Sequence, residues 1–414
     1  MRRVVITGIG IVSPVGNDET ETWSALLAGK SGAAPIRSFD ASNLDVRFGC
    51  EVKDFDPLNY MDKKEVRRAD RFVHYAIAAS EQAASNAGLL NGQLNSERAG
   101  VLIGSGIGGI ATFEEQCRTF IEQGPSRVSP FFVPMFIPDM ASGLVSIRFG
   151  AQGPNYCTVS ACASSAHAIG EAYRLVQSAT ADIMIAGGAE AAITPLAMAG
   201  FSNMKALSKR NHEPAKASRP FDRGRDGFVM GDGAGIVVLE SLERALDRGA
   251  TIRSEIVGYG LSGDAYHMTQ PAPGGRGAKQ AMQNCLAEAK VEYSDIGYIN
   301  THGTSTPHGD LAEVNAIKDL FGAHAHEMVI GSTKSMTGHL LGGAGGLEAA
   351  ICIRVLEEGK IPPTINQDDP DPECDINCAP NAMIEREVSV ALSNSFGFGG
   401  HNVSLALKTY SEHA

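Results

Sequence analysis

Nine short apolar or β-branched runs, separated by helical stretches, recur along all 414 residues of the chain. They fall at residues 4–7, 100–104, 183–186, 235–239, 255–259, 297–301, 329–332, 388–394 and 403–407. Such alternation requires helices to cover a largely buried sheet, which is an α/β architecture. The length suits two ordinary domains or one large fused unit. The best break is Asp247-Arg248-Gly249, where a charged helix ends before a new strand; no long linker or short-period repeat is visible.

Some helix ends can be read directly. Asp62 with Glu65 three residues on forms a capping-box pattern, and Gly88 is the matching stop. Asp310 and Glu313 repeat the pattern, with Gly322 as the stop and Leu311, Val314, Ile317 and Leu320 on one face.

A formal net charge of −12 disfavours nucleic acid as a partner, and an acidic protein partner needs a local basic patch. The opening MRRVVITGIGIVSPVG is broken by Gly8, Gly10 and Pro14, so it reads as a strand and glycine turn and not as a signal peptide. No apolar run approaches the ~18 residues of a membrane span. Eight scattered cysteines point to free thiols in a reducing, cytoplasmic setting. Cys374 and Cys378 lack a second ligand pair at zinc spacing.

Residues 156–160 read as a short strand and 161–177 as a helix rich in small residues, which puts Cys162 at the bend. A cysteine taken alone is most often a buried small hydrophobe. Here the positive end of a helix favours the thiolate, small neighbours leave room for substrate, and backbone N–H groups at the bend suit an oxyanion.

Two glycine-rich polar segments also follow strands. One carries His302 and the other Lys334 and His339. Strand ends are where α/β sites are built, so two such loops and the cysteine converge. A cysteine accepts an acyl group as a thioester, and two neutral imidazoles can each donate to one developing enolate oxygen. A lone loop histidine is more often structural, and three residues spread out along a sequence are poor evidence for a metal site.

One motif points elsewhere. Gly104-Ser-Gly106-Ile-Gly-Gly109 is a literal dinucleotide-binding pattern before a helix at about residues 110–123. The acid about twenty residues on, Glu122, falls in or at the end of that helix instead of at a second strand's end. The glycines therefore read as a tight turn.

Four motifs stand in order: Val159-Ser-Ala-Cys162-Ala-Ser-Ser, Asn300-Thr-His302-Gly-Thr-Ser-Thr-Pro, Lys334-Ser-Met-Thr-Gly-His339 and Asn394-Ser-Phe-Gly-Phe-Gly-Gly400. Together they resemble the β-ketoacyl-acyl carrier protein synthases of the thiolase superfamily, across essentially the whole chain. The segment from Asp264 to Thr269 looks more like synthase II than synthase I.

The resemblance implies a thiolase-like five-layer αβαβα fold of two similar halves, 1–250 with Cys162 and 251–414 with His302 and His339. It implies a homodimer and no metal or redox cofactor, the phosphopantetheine arm being carried by the acyl carrier protein. Cys162 matches the nucleophile, and His302 and His339 the pair that assists decarboxylation and condensation. Lys334 matches a supporting lysine, with Glu348 the acid near it; a helix N-terminal charge is the other reading of Glu348. Thr304 and Thr306 match contacts to the pantetheine arm, and Thr269, Phe396 and Gly399 join them as substrate-binding positions. Phe398 resembles a gating phenylalanine whose N–H joins that of Cys162 in an oxyanion hole. His308 and His401 read as structural or solvent-facing.

The implied reaction joins an acyl group held on Cys162 to malonyl-carrier protein, in fatty-acid elongation. Lys63, Lys64, Arg67 and Arg68, with Lys205 and Arg210, are the basic groups expected to meet the acidic carrier. A polyketide ketosynthase and a non-catalytic chain-length subunit are the competing readings; the intact Cys162 and histidines argue against the second. His339 argues against synthase III, which has asparagine there, and no second cysteine of the thiolase kind lies at 394–400.

Overall fold

A computed structural model describes residues 1–90 and 92–411. The strands of the main sheet are β1 (Val4–Val12), β2 (Ala99–Gly104), β3 (Asn155–Tyr156), β4 (Ile183–Glu190) and β5 (Gly233–Ser241). They continue as β6 (Ser254–Gly263), β7 (Ile296–Asn300), β8 (Val329–Gly331), β9 (Val390–Gly397) and β10 (His401–Lys408). Their order is β3-β2-β4-β5-β1-β6-β10-β9-β7-β8. The first five strands and the last five therefore repeat one arrangement, outermost strand to junction. The two sets join where Val4, Val5 and Ile6 pair antiparallel with Ile256, Glu255 and Ser254.

The main helices are α1 (Arg71–Asn86), α2 (Ser164–Gln177), α3 (Arg276–Ala289), α4 (Pro307–Phe321) and α5 (Ala344–Glu358). Helix α1 lies on β1, β4 and β5, and α3 lies on β6 and β10 with α4 packed against it. Helices α2 and α5 touch each other and strands of both sets. The result is five layers, αβαβα, with α2 and α5 in the middle, as expected.

The interior explains the glycine-rich first strand. A Cβ on Gly10 would lie 1.8 Å from the Ala79 carbonyl of α1, so only glycine lets that helix sit on the sheet. Around it, Phe72, Val73, Ala76, Ala79 and Ala83 of α1 pack on Val101, Ile103, Ile185, Ile236 and Val238. Each fully buried aliphatic side chain there contributes roughly 1.5–3 kcal/mol.

The two sets also share a local device. Ala161 (φ 51°) opens a 3-10 turn, Ala161–Ala163, that runs into α2, and Leu341 (φ 47°) opens a 3-10 turn, Leu341–Gly343, that runs into α5. Left-handed backbone at a non-glycine residue is costly, and both copies meet at the centre of the molecule.

All nine expected strands form. Three local expectations are corrected. Asp62 does cap with Glu65, but the helix it starts is only Lys63–Val66. A second helix, α1, starts behind Asp70, whose carboxylate also accepts from the N–H and hydroxyl of Thr112. Extended ladder pairing ends at Tyr156, and Ser160 donates instead to Ser164 Oγ. Asp310 and Glu313 lie inside α4, which begins at Pro307, and both are buried.

Candidate active site

Cys162 is 8% exposed and lies at the floor of a cavity of about 500 Å³ that His302, His339, Thr304, Thr306, Phe396 and Phe398 also line. Its Sγ and one ring nitrogen each of His302 and His339 lie within 4.8 Å of one another. The two imidazoles meet edge to face, with centroids 5.2 Å apart and planes at 84°. Phe396 flanks His302 at 5.9 Å, and Phe228 flanks His339 at 5.3 Å.

The N–H groups of Phe398 and of Cys162 itself both face the Cys162 sulfur. This is the donor pair expected for an oxyanion. It depends on Gly397, where a Cβ would fall 2.6 Å from the Ser160 carbonyl and 3.2 Å from the Cys162 nitrogen. The thiolate that a helix end favours meets opposition here. Burial pushes the Cys162 thiol up to about 12, against the Lys334 charge and those two N–H groups, so the resting group is the neutral thiol.

Both histidines are held from the backbone. The N–H groups of His302 and Gly303 donate to Glu313 at 3.0 and 2.9 Å, and that carboxylate also accepts from Asn394 at 3.1 Å. The His339 N–H donates to the Val229 carbonyl at 2.7 Å. Among the described residues, Nδ1 of His302 and both nitrogens of His339 have no hydrogen-bond partner. Burial first, and then the Lys334 charge, hold both imidazoles well below the usual histidine range, so both are neutral at pH 7.

Lys334 opens a single helical turn, Lys334–Thr337, and pairs with Glu348. Glu348 sits on the second turn of α5, and its other oxygen has no hydrogen-bond partner among the described residues. It is therefore a buried counter-ion and not a solvated helix-end charge.

The Thr304 and Thr306 hydroxyls are 3.1 Å apart. Their loop is braced from below by Asp310, which accepts from the N–H groups of Ser305, Thr306 and Phe221, and whose carboxylate lies 3.7 Å from Arg225. Thr269 and Lys205 line the cavity, and the exposed His308 does so at its mouth. Gly399 does not face the cavity: it is exposed, and its N–H donates to the Met268 carbonyl at 2.8 Å. Lys63, Lys64, Arg67 and Arg68 are exposed and do not line the cavity; Arg68 lies 4.5 Å over the Phe131 ring. Arg210 donates to the Gly224 carbonyl.

The glycine motif at 104–109 is a carboxylate cradle. Glu190 is fully buried and accepts from Ser105 Oγ and from the N–H groups of Gly106, Ile107 and Gly342. The donors that a dinucleotide phosphate would use are already consumed. Glu190, Glu313 and Asp310 escaped the sequence reading because each looked like an ordinary strand-end or helix charge. A cue was present for two of them, since an acid eight and eleven residues after His302 lies within reach of that loop.

Comparison with known proteins decides the family. The model of the β-ketoacyl synthase N-terminal domain matches residues 1–245, and that of the C-terminal domain residues 253–368. This chain belongs to the β-ketoacyl synthase family. The synthase is 54% identical to 3-oxoacyl-[acyl-carrier-protein] synthase 2 of Synechocystis, covering 99% of this chain and 98% of that one. It is 50% identical to the Coxiella burnetii protein of the same name, over 98% of each chain. Among solved structures, a β-ketoacyl synthase from Burkholderia phymatum superposes with a TM-score of 0.92 at 37% identity, over 99% of this chain and 100% of that one. A type II polyketide ketosynthase in complex with its acyl-carrier protein gives 0.92 at 32%, with the same coverage.

Proposed function

We propose that this synthase elongates an acyl chain by two carbons, through decarboxylative condensation with malonyl-carrier protein. The observation that carries the reading is the meeting of Cys162, His302 and His339 within 4.8 Å beside two backbone donors.

In the first half-reaction the Cys162 sulfur attacks the acyl thioester. Its proton passes to the departing carrier thiol, and the Phe398 and Cys162 N–H groups hold the tetrahedral oxyanion. In the second, the malonyl thioester carbonyl lies between the histidines. Carbon dioxide leaves, and the enolate oxygen accepts one N–H from each neutral imidazole. The enolate carbon then attacks the acyl carbonyl, and the Cys162–acyl bond breaks to give 3-oxoacyl-carrier protein. A proton from solvent restores the thiol. Thr304, Thr306, Thr269 and Phe396 hold the pantetheine arm, and the reaction draws on no metal or redox cofactor of the enzyme. The greater identity to the synthase 2 relatives than to the polyketide ketosynthase favours fatty-acid over polyketide substrates.

The carrier protein is the macromolecular partner. An enzyme of net charge −12 needs a basic face to receive it, and Lys205 at the mouth with exposed Lys63, Lys64, Arg67 and Arg68 supply that face. The working form is a cytoplasmic homodimer of two halves, 1–250 and 251–414. In support, the main sheet ends on β3 with an open edge, near exposed Ile147, Tyr156 and Val159. No helix among the described residues is long and apolar enough to cross a membrane.

Intact mass after incubation with acyl-carrier protein tests the reading. One acyl adduct per chain, absent in Cys162→Ser, is the expected result. An adduct that survives Cys162→Ser overturns the assignment.

A further inference from the structure

The cavity floor is also a donor set for a soft cation. A thiol and two imidazoles converge there, their donor atoms within 4.8 Å of one another. His339 is 2% exposed, yet among the described residues both its nitrogens lack a hydrogen-bond partner, as does Nδ1 of His302. Buried polar atoms are normally satisfied, so orphaned ring nitrogens on two histidines that each bring a donor atom within 4.8 Å of one sulfur mark a place built to receive a ligand. Zinc takes sulfur at about 2.3 Å and imidazole nitrogen at about 2.0–2.1 Å, which puts tetrahedral donors roughly 3.3–3.6 Å apart. Side-chain rotation of about an ångström closes the present spacing to that value. The cavity leaves the fourth position open.

We propose that a thiophilic divalent cation, zinc foremost, binds Cys162, His302 and His339 and switches the enzyme off reversibly. On binding, the Cys162 S–H proton goes to solvent as the sulfur–metal bond forms; nothing is oxidised or reduced. The charge of Lys334 opposes a cation, but Glu348 balances it, and the new thiolate offsets half the charge of the metal. Magnesium and calcium prefer oxygen donors and are excluded. Metal capture and acylation compete for one sulfur. Binding itself stands on the geometry alone, whereas competition with the acyl group rests on the function proposed above.

The test uses the full-length protein, titrated with zinc and separately with cadmium, whose thiolate complex absorbs by charge transfer. Site-resolved alkylation by iodoacetamide is followed at Cys162 and at the half-buried Cys117. At free zinc about ten times the dissociation constant, roughly nine sites in ten are filled, so alkylation of Cys162 slows about tenfold. Cys117 is unaffected, a chelator restores the rate, and magnesium does nothing. The cadmium band vanishes in Cys162→Ser, and its midpoint rises in His302→Gln and in His339→Asn. Equal slowing of both cysteines, a band that persists in Cys162→Ser, or an unchanged midpoint in both histidine variants overturns the site. If those results hold but acyl-loaded enzyme still binds cadmium through Cys162, the metal site stands and the acyl-acceptor role fails.

Discussion

Lys334 and Glu348 form an ion pair whose side chains are 2% and 3% exposed, and the Lys334 charge reaches both neutral imidazoles. That Lys334 charge is the second cause, after burial, that keeps His302 and His339 unprotonated. Replacing Lys334 by Met removes that repulsion, so both imidazoles regain protons at higher pH. Malonyl decarboxylation in the variant should lose its acid limb at a higher pH than wild type. An acid limb that does not move contradicts this role. The single variant strands a buried carboxylate, which typically costs about 3–5 kcal/mol, so the paired Lys334→Met/Glu348→Gln protein is the fold control.

The histidines act on the malonyl half more than on acyl loading. Replacing either by Ala removes one donor to the enolate, a loss of roughly 10²–10³ in rate. Single-turnover assays should show decarboxylation falling by that factor in His302→Ala and His339→Ala, with acylation of Cys162 reduced far less. Equal losses in both half-reactions would count against the division.

Much of this was legible in the sequence, and the misses share one cause. The strands announced themselves because β-branched runs have few alternatives, and Cys162, His302, Lys334 and His339 stood in polar segments at strand ends. What escaped were groups whose role depends on folding. Glu190 gathers N–H groups from residues 106, 107 and 342, which no local pattern connects. Asp310 and Glu313 matched a capping box, yet they brace loops because Pro307 starts the helix earlier. At Cys162, burial opposes the thiolate that a helix end favours and outweighs the Lys334 charge and the Phe398 and Cys162 N–H groups.

That neutral thiol changes what alkylation should look like. Cys50, Cys285, Cys352, Cys374 and Cys378 are buried, and burial raises Cys157 to about 11, whereas Cys117 is half-buried on the helix Ile110–Gln123. Limiting iodoacetamide should therefore modify Cys117 without loss of activity, and inactivation should track Cys162 alone. Peptide mapping along the inactivation curve checks this. Loss of activity that follows Cys117 or Cys157 would contradict the nucleophile assignment.

Carrier docking should depend on charge at the Lys63–Val66 turn. Arg67→Glu with Arg68→Glu should raise KM for carrier-bound substrate several-fold, and more at low salt, where opposite charges act over a longer range. A small acyl-pantetheine thioester should be handled almost as before. If both substrates suffer alike, the patch supports the fold, for which the stacking of Arg68 on Phe131 is the ready cause.

The central claim is that one cavity floor both holds the acyl group and decarboxylates malonate. It is tested most directly by a single turnover of acyl-loaded enzyme with malonyl-carrier protein labelled at the free carboxyl. The account predicts one labelled carbon dioxide for each 3-oxoacyl product, with the acyl adduct on Cys162 disappearing at the same rate. Label retained in the product, or an adduct that outlasts product formation, would contradict it.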